Sequence, residues 1–197
     1  MNLLRCLAAA GLCATLTACF RANTITTRHF LLTPALSTAT TKSDVRLGVG
    51  IVKMPEYLLK NSLAVRKNAG EISYLETAVW AERLDKGFAR VLAANLSAMI
   101  PTDEVRLGSW RAKDVMVEVY VNVQQFDVDQ SGKGTLTAWW RITAPGGAEI
   151  LKSGETRLTK TGQTPASNAE NVVTTLSQLT ADFSGTLAQA VREVAPR

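Results

Sequence analysis

Val115, Val117, Val119, Val121 and Val123 alternate without a break with Met116, Glu118, Tyr120, Asn122 and Gln124. Successive side chains of an extended strand point to opposite faces, so this run predicts a strand with one apolar, buried face and one polar face. A chain built around such a strand needs a second layer to cover the valines. Residues 134–144 repeat the pattern, with Leu136, Ala138, Trp140 and Ile142 on one side and Thr135, Thr137, Trp139, Arg141 and Thr143 on the other. Pro145-Gly146-Gly147 turns the chain back, and Ile150 to Thr159 completes a three-stranded antiparallel meander.

Shorter strand signals lie upstream. His29 to Leu32 reads as a strand ending at Pro34, followed by a polar loop from Ser37 to Asp44; Arg46 to Lys53 reads as a strand stopped by Pro55. Leu63 to Arg66 and Glu71 to Leu75 flank Lys67-Asn68-Ala69-Gly70, which suits a hairpin. From Leu84 the apolar period lengthens to about 3.6. Leu84, Phe88, Val91, Leu92, Leu96 and Met99 share a helical face that ends before Pro101, with Lys86, Arg90 and Asn95 pointing away from its centre. Asp85 suits the positive end of that helix. A second long helix follows Ser167, whose spacing to Glu170 matches a capping box, with apolar residues at Val172, Leu176, Leu179, Phe183, Leu187 and Val191. At 197 residues, 46% of them hydrophobic, the chain is suited to one folded domain. The predicted fold is a single two-layer α+β domain, a largely antiparallel sheet packed by two long amphipathic helices.

The N-terminus sets the compartment. Arg5 followed by the short apolar stretch Cys6 to Leu16 reads as a secretory signal, too short for a permanent bilayer span. Leu16-Thr17-Ala18-Cys19 then has the form of a bacterial lipobox, and all three cysteines lie within the first nineteen residues. The reading divides the chain into a signal peptide, 1–18, an acylated Cys19 with a short tether, 19–27, and a folded domain, 28–197. Several acyl chains on Cys19 would anchor the protein stably to a membrane. Phe20, in place of the aspartate that retains enteric lipoproteins in the inner membrane, points to the outer membrane, facing the periplasm. The segment Phe20 to Thr27 spans at most about 25 Å when extended, so the domain hangs close to the lipid.

The inventory of chemical groups argues against an enzyme. The domain holds no thiol and the chain one histidine, His29, which excludes internal disulfides and Cys-ligated zinc; no cofactor is expected. The charge of +5 is carried by scattered cations without a basic run, so nucleic acid is not an expected partner. Gly48-x-Gly50 lacks the later glycine and helix start of a dinucleotide loop, and is better read as room for another element to approach the strand. Asp127-x-Asp129-x-Ser131-Gly132 opens like a calcium loop, but Ala138 stands where the bidentate glutamate belongs, so a polar hairpin turn is the better reading. Asp103-Glu104 follow Pro101 without a histidine or cysteine partner nearby and read as a solvated turn. Trp139 and Trp140 must point to opposite faces of their strand; whichever points outward is a candidate for partner binding.

Three strings resemble one family, the PqiC (YmbA) auxiliary lipoproteins of transport systems containing Mce-domain proteins. They are His29-Phe-Leu-Leu-Thr-Pro34 after the lipobox, Leu47-Gly-Val-Gly-Ile-Val-Lys-Met-Pro-Glu-Tyr-Leu58, and Trp80-Ala-Glu-Arg-Leu-Asp85 leading into Val91-Leu-Ala-Ala-Asn-Leu-Ser97. The family often has two tyrosines where this chain has His29-Phe30. The resemblance implies a non-enzymatic lipoprotein with a fold similar to the N-terminal domain of TolB. It further implies assembly as a homo-oligomeric ring and docking on an Mce-domain tunnel protein that carries lipid or other hydrophobic molecules between the membranes. By match to the family strings, Pro55, Glu56, Tyr57, Leu58, Trp80, Ala81, Leu84 and Asp85 are the candidate partner-binding positions, although Pro55 and Leu58 could simply end a strand and Trp80 and Leu84 staple the helix start. An envelope scaffolding or assembly lipoprotein for another outer-membrane machine is the alternative reading.

Overall fold

In the computed structural model, residues 26–35, 43–100, 102, 104–166 and 168–195 are described, and the segment read as a signal peptide, Cys19, most of the Ser37–Asp44 loop, Asp103 and Ser167 lie outside them. Eight strands form one sheet: β1 Arg28–Phe30, β2 Leu47–Val49, β3 Ser62–Asn68, β4 Glu71–Trp80, β5 Val105–Leu107, β6 Val117–Asp129, β7 Lys133–Thr143 and β8 Ile150–Thr161. Two helices, α1 Leu84–Met99 and α2 Ala169–Val194, supply the second layer.

The 13-residue β6 organises the sheet. β7 runs antiparallel along one of its edges from Glu118 to Val128, and β8 continues the meander beyond β7. Its other edge is shared: β2 pairs with it in parallel at Leu47↔Val117, and β3 in parallel at Val65↔Val128. β1 pairs with β4, and β2 with β5, also in parallel. The sheet is therefore mixed, which corrects the expectation of a largely antiparallel one. The three long ladders are antiparallel as their turns demand, while the parallel pairings join segments distant in the chain that carry no turn signal. Between its two partners, the free stretch of β6 is closed by Gly50 N–H to Val119 O (2.9 Å) and Lys53 N–H to Val121 O (3.1 Å). The strand expected over 46–53 thus runs beside β6, with its regular part confined to three residues.

The valine alternation holds and then changes phase. Val117, Val119, Val121 and Val123 are buried; a bulge between Val123 and Gln125 follows, and Phe126 and Val128 take over the same face. The bulge inserts one residue, so the periodicity expected to end at Gln124 continues with even numbers in place of odd. Phe126 meets Phe88 of α1 edge to face at 5.2 Å between centroids, and Phe88 meets Phe183 of α2 at 6.1 Å. All six apolar positions named for α2 are buried, as are Leu84, Phe88, Val91, Leu92 and Leu96 of α1.

Asn95 departs from its expected outward position and is 1% exposed. Its amide donates to Ser184 Oγ (3.1 Å) and accepts from the Ala35 N–H (2.8 Å), while Ser184 Oγ donates to Thr180 O (2.7 Å). A polar side chain stays inside the helical interface because each of these bonds replaces one lost to water. The N-cap of α2 is Asn168, whose side chain accepts from the Glu170 N–H at 3.0 Å. Arg28 of β1 then spans Asn168 (3.0 Å) and Glu170 (2.9 Å), tying the first strand to the last helix.

Candidate functional site

The phase of β6 and β7 that faces away from the helices carries Glu118, Tyr120, Asn122 and Asp127 from β6, and Trp139 and Arg141 from β7. Trp140 is the inward tryptophan: it is 9% exposed, donates from Nε1 to Thr156 Oγ1 (2.9 Å) and lies against Gly154, where an added Cβ would come within 2.8 Å of its ring. Trp139 is the outward one, at 59% exposed.

Beside Trp139 lies an open groove of about 320 Å³, lined by Ile51, Lys53, Tyr120, Asn122, Arg141 and Ile150 among others. Its floor is held from below. Tyr120 lies across Gly50, where a Cβ would sit 2.7 Å from the ring, and Trp110 lies across Gly48 in the same way, at 2.5 Å. The glycines of Gly48-x-Gly50 therefore give room to aromatic rings. The Arg141 guanidinium lies over the Tyr120 ring at 5.0 Å, and the Tyr120 hydroxyl donates to Glu118 (2.9 Å). Burial, with the adjacent carboxylate, pushes the Tyr120 phenol above its ordinary pKa, which keeps it a donor.

Glu118 itself is 2% exposed and accepts from Trp110 Nε1 (2.8 Å), Tyr120, Thr143 Oγ1 (3.2 Å) and the N–H groups of Gly146 (2.8 Å) and Gly147 (3.0 Å). At the other end of β6, Asp127, also 2% exposed, accepts from Arg66 (2.6 and 3.0 Å), Tyr57 (2.7 Å) and Gln125 (2.9 Å). Asp129 instead accepts from Ser131 and the Lys133 N–H within the β6–β7 turn. The two aspartates thus serve different structures, and this string forms the polar hairpin turn expected of it.

The candidate positions from the family strings divide. Leu58, Trp80, Leu84 and Asp85 are between 3% and 8% exposed, and the first three are packed into the core. Asp85 accepts from Arg83 (3.1 Å twice). Pro55 is half-buried at the start of the 3-10 helix Glu56–Leu58, and Ala81 is exposed while its N–H bonds Phe30 O (2.8 Å). Tyr57 is half-buried, anchored at its hydroxyl by Asp127 and at its carbonyl by Tyr74 (3.1 Å). Burial and the Asp127 carboxylate push its phenol well above the ordinary value. Glu56 is exposed on the 3-10 helix. His29 stands exposed on β1. Sequence reasoning reached the outward tryptophan but missed Ile51, Lys53, Tyr120, Arg141 and Ile150 around it; Tyr120 and Arg141 on the polar phases of their strands were the available signal, while Ile51, Lys53 and Ile150 come from other segments of the chain.

These features define a class: a two-layer α+β domain with helices on one sheet face and, on the other, an aromatic groove set between two buried carboxylate networks. The chain belongs to the family of ABC-type transport auxiliary lipoprotein components, whose family model matches residues 30–188; this is the PqiC (YmbA) family of the three strings. It is not an enzyme family, and its members are membrane-anchored components of the cell envelope. No curated protein matches the chain. Among solved structures it is similar to an uncharacterized protein (TM-score 0.69, 20% identity, covering 84% of this chain and 99% of that one). It is also similar to a protein from Xanthomonas campestris (TM-score 0.66, 12% identity, covering 83% and 94%). At these identities the likeness shows the fold. A PelC dodecamer from Paraburkholderia phytofirmans aligns more loosely (TM-score 0.45, 14% identity, covering 82% and 96%).

Proposed function

We propose that this chain is a non-catalytic, periplasm-facing lipoprotein subunit that docks on the Mce-domain tunnel protein of its transport system and supports passage of lipid or other hydrophobic molecules between the membranes. The observation that carries the reading is the family match over residues 30–188. The resemblance of the three strings adds the Mce partner, the ring assembly and the likeness to the TolB N-terminal domain. In this reading residues 1–18 are removed, Cys19 carries the acyl chains in the outer membrane, and 28–197 form the docking domain. The docking positions are those still open to a partner, Glu56 and Ala81 with the accessible part of Tyr57; Pro55, Leu58, Trp80, Leu84 and Asp85 shape and support them.

The test is a mild crosslink in native cells, detergent purification of the tagged lipoprotein and mass spectrometry of its companions. Recovery of the Mce-domain protein is expected. Recovery of an unrelated outer-membrane machine, with an expressed Mce protein absent, would replace this reading with envelope scaffolding. Glu56→Lys should lower Mce recovery at least tenfold with an unchanged melting temperature, because exposed substitutions of this kind move stability by no more than about 0.5 kcal/mol. Cys19→Ser should leave an uncleaved, acyl-free precursor by intact-mass measurement; equal acylation of parent and variant would remove Cys19 as the anchor.

A further inference from the structure

Among the described residues five large apolar side chains are exposed, and four of them, Ile51, Leu107, Trp139 and Ile150, border two neighbouring depressions that share Ile51. Single exposed apolar residues need no explanation, but a contiguous patch rimmed by polar groups marks an interaction site. The larger depression is the groove at Trp139. Two cations, Lys53 and Arg141, line it, and no carboxylate does. Neither cation has an ion pair among the described residues, and Glu155, across from Trp139 in the β7–β8 register, stands outside the lining. The groove therefore complements an occupant that is both apolar and anionic.

Two occupants fit poorly. A second copy set on the same groove by a two-fold axis would oppose Lys53 and Arg141 with their own copies, and a ring neighbour, which would present a different face, is distinguished by the crosslink at position 150. An acyl chain calls for a site that encloses most of its surface, whereas this trough leaves one side of its occupant in water. A peptide tolerates that geometry, since one side chain fills the groove while its backbone stays solvated.

We propose that the groove seats an acidic–apolar segment of the protein partner. An apolar or aromatic side chain packs among Ile51, Trp139 and Ile150, and an Asp or Glu a few residues away pairs with Lys53 or Arg141. This rests on the docking reading above and adds to it the contact surface and the chemistry of the bound segment. Trp and Arg are the residue types on which interface affinity concentrates.

The test measures the affinity of the full lipidated chain, in detergent, for the purified Mce-domain protein, using the parent, Trp139→Ala, the double variant Lys53→Glu/Arg141→Glu, and Glu56→Lys. Both groove variants should bind at least tenfold more weakly, with melting temperatures near the parent's. A photo-crosslinking residue at position 150 in the otherwise unchanged chain should form an adduct on an Mce-protein peptide that holds a carboxylate near an apolar residue, which keeps the test open if a groove variant misfolds. Parent-like affinity in both groove variants, or an adduct only to phospholipid or to a second copy, would overturn the proposal while leaving docking itself intact. Absence of binding by the parent chain would end the docking reading, and this proposal with it.

Discussion

Glu118→Ala should remove about 3–5 kcal/mol of folding stability, a large fraction of the roughly 5–15 kcal/mol available to a domain of this kind. The carboxylate is buried and gathers donors from four places in the chain: Trp110, Tyr120, Thr143, and the turn at Gly146 and Gly147. Truncation would leave those donors facing a void, and a buried donor without an acceptor costs about 1–3 kcal/mol. Urea unfolding of the full chain in detergent gives the value; a loss below about 1 kcal/mol would mean that water replaces the carboxylate.

The pH dependence follows from the same contacts. Burial opposes the charge on Glu118, but the hydrogen bonds from Trp110, Gly146, Tyr120 and Thr143 prevail and hold its carboxyl below the ordinary 4.5. The folded pKa lies below the unfolded one, so the contribution is fully present above about pH 4.5 and is lost as the pH falls through the folded value. Glu118→Gln keeps the shape and removes the titration. Its deficit against the parent should therefore be largest near neutrality and narrow in acid, and a deficit constant from pH 7 to pH 3 would count against the assignment. Because Glu118 also holds the Tyr120 hydroxyl, Glu118→Ala should loosen the groove floor as well.

Asp127→Ala should cost a similar amount, about 3–5 kcal/mol, for a different reason. Asp127 is 2% exposed at its side chain and pairs with Arg66, itself only 23% exposed, at 2.6 Å. Removing the acid strands a guanidinium that is mostly withdrawn from water, along with the Tyr57 hydroxyl. Tyr57→Phe removes two hydrogen bonds from the cluster, the one its hydroxyl donates to Asp127 (2.7 Å) and the one it accepts from Arg66 (3.3 Å), and should cost about 1.5–3 kcal/mol. The double variant Asp127→Leu/Arg66→Met should recover most of the single loss, since an apolar pair of similar volume avoids the cost of desolvating both ions. If the double variant is as unstable as Asp127→Ala, the cluster matters for its shape and not its charge. The result bears on docking too: a partner-binding defect in Tyr57→Ala would mix lost contact with a loosened Glu56–Leu58 turn, which makes Glu56→Lys the cleaner probe.

Much of this protein was determined by local sequence. Odd-numbered valines placed the inner face of β6, Pro145-Gly146-Gly147 placed the turn into β8, and apolar spacing placed the buried faces of both helices, because alternating transfer free energy along a short segment is a property of that segment alone. The tertiary structure decided the rest. Nothing near Asn95 announces that α2 will bring Ser184 to it, and nothing near Glu118 or Asp127 announces Gly146 or Tyr57, since those partners lie 28 to 89 residues away in the chain. The bulge after Val123 shifted the inward phase and left Asp127 on the outer face. Parallel pairing of β2 and β3 on one edge of β6 was equally illegible, because their three-residue and two-residue registers form only once the chain between them has folded. That Trp140 is covered follows from the alternation, since it shares a side with Leu136, Ala138 and Ile142. That Trp139 borders a groove was decided only by the tertiary structure, because Ile51 and Lys53 reach it from a segment about 90 residues earlier in the chain, and no local pattern encodes that approach.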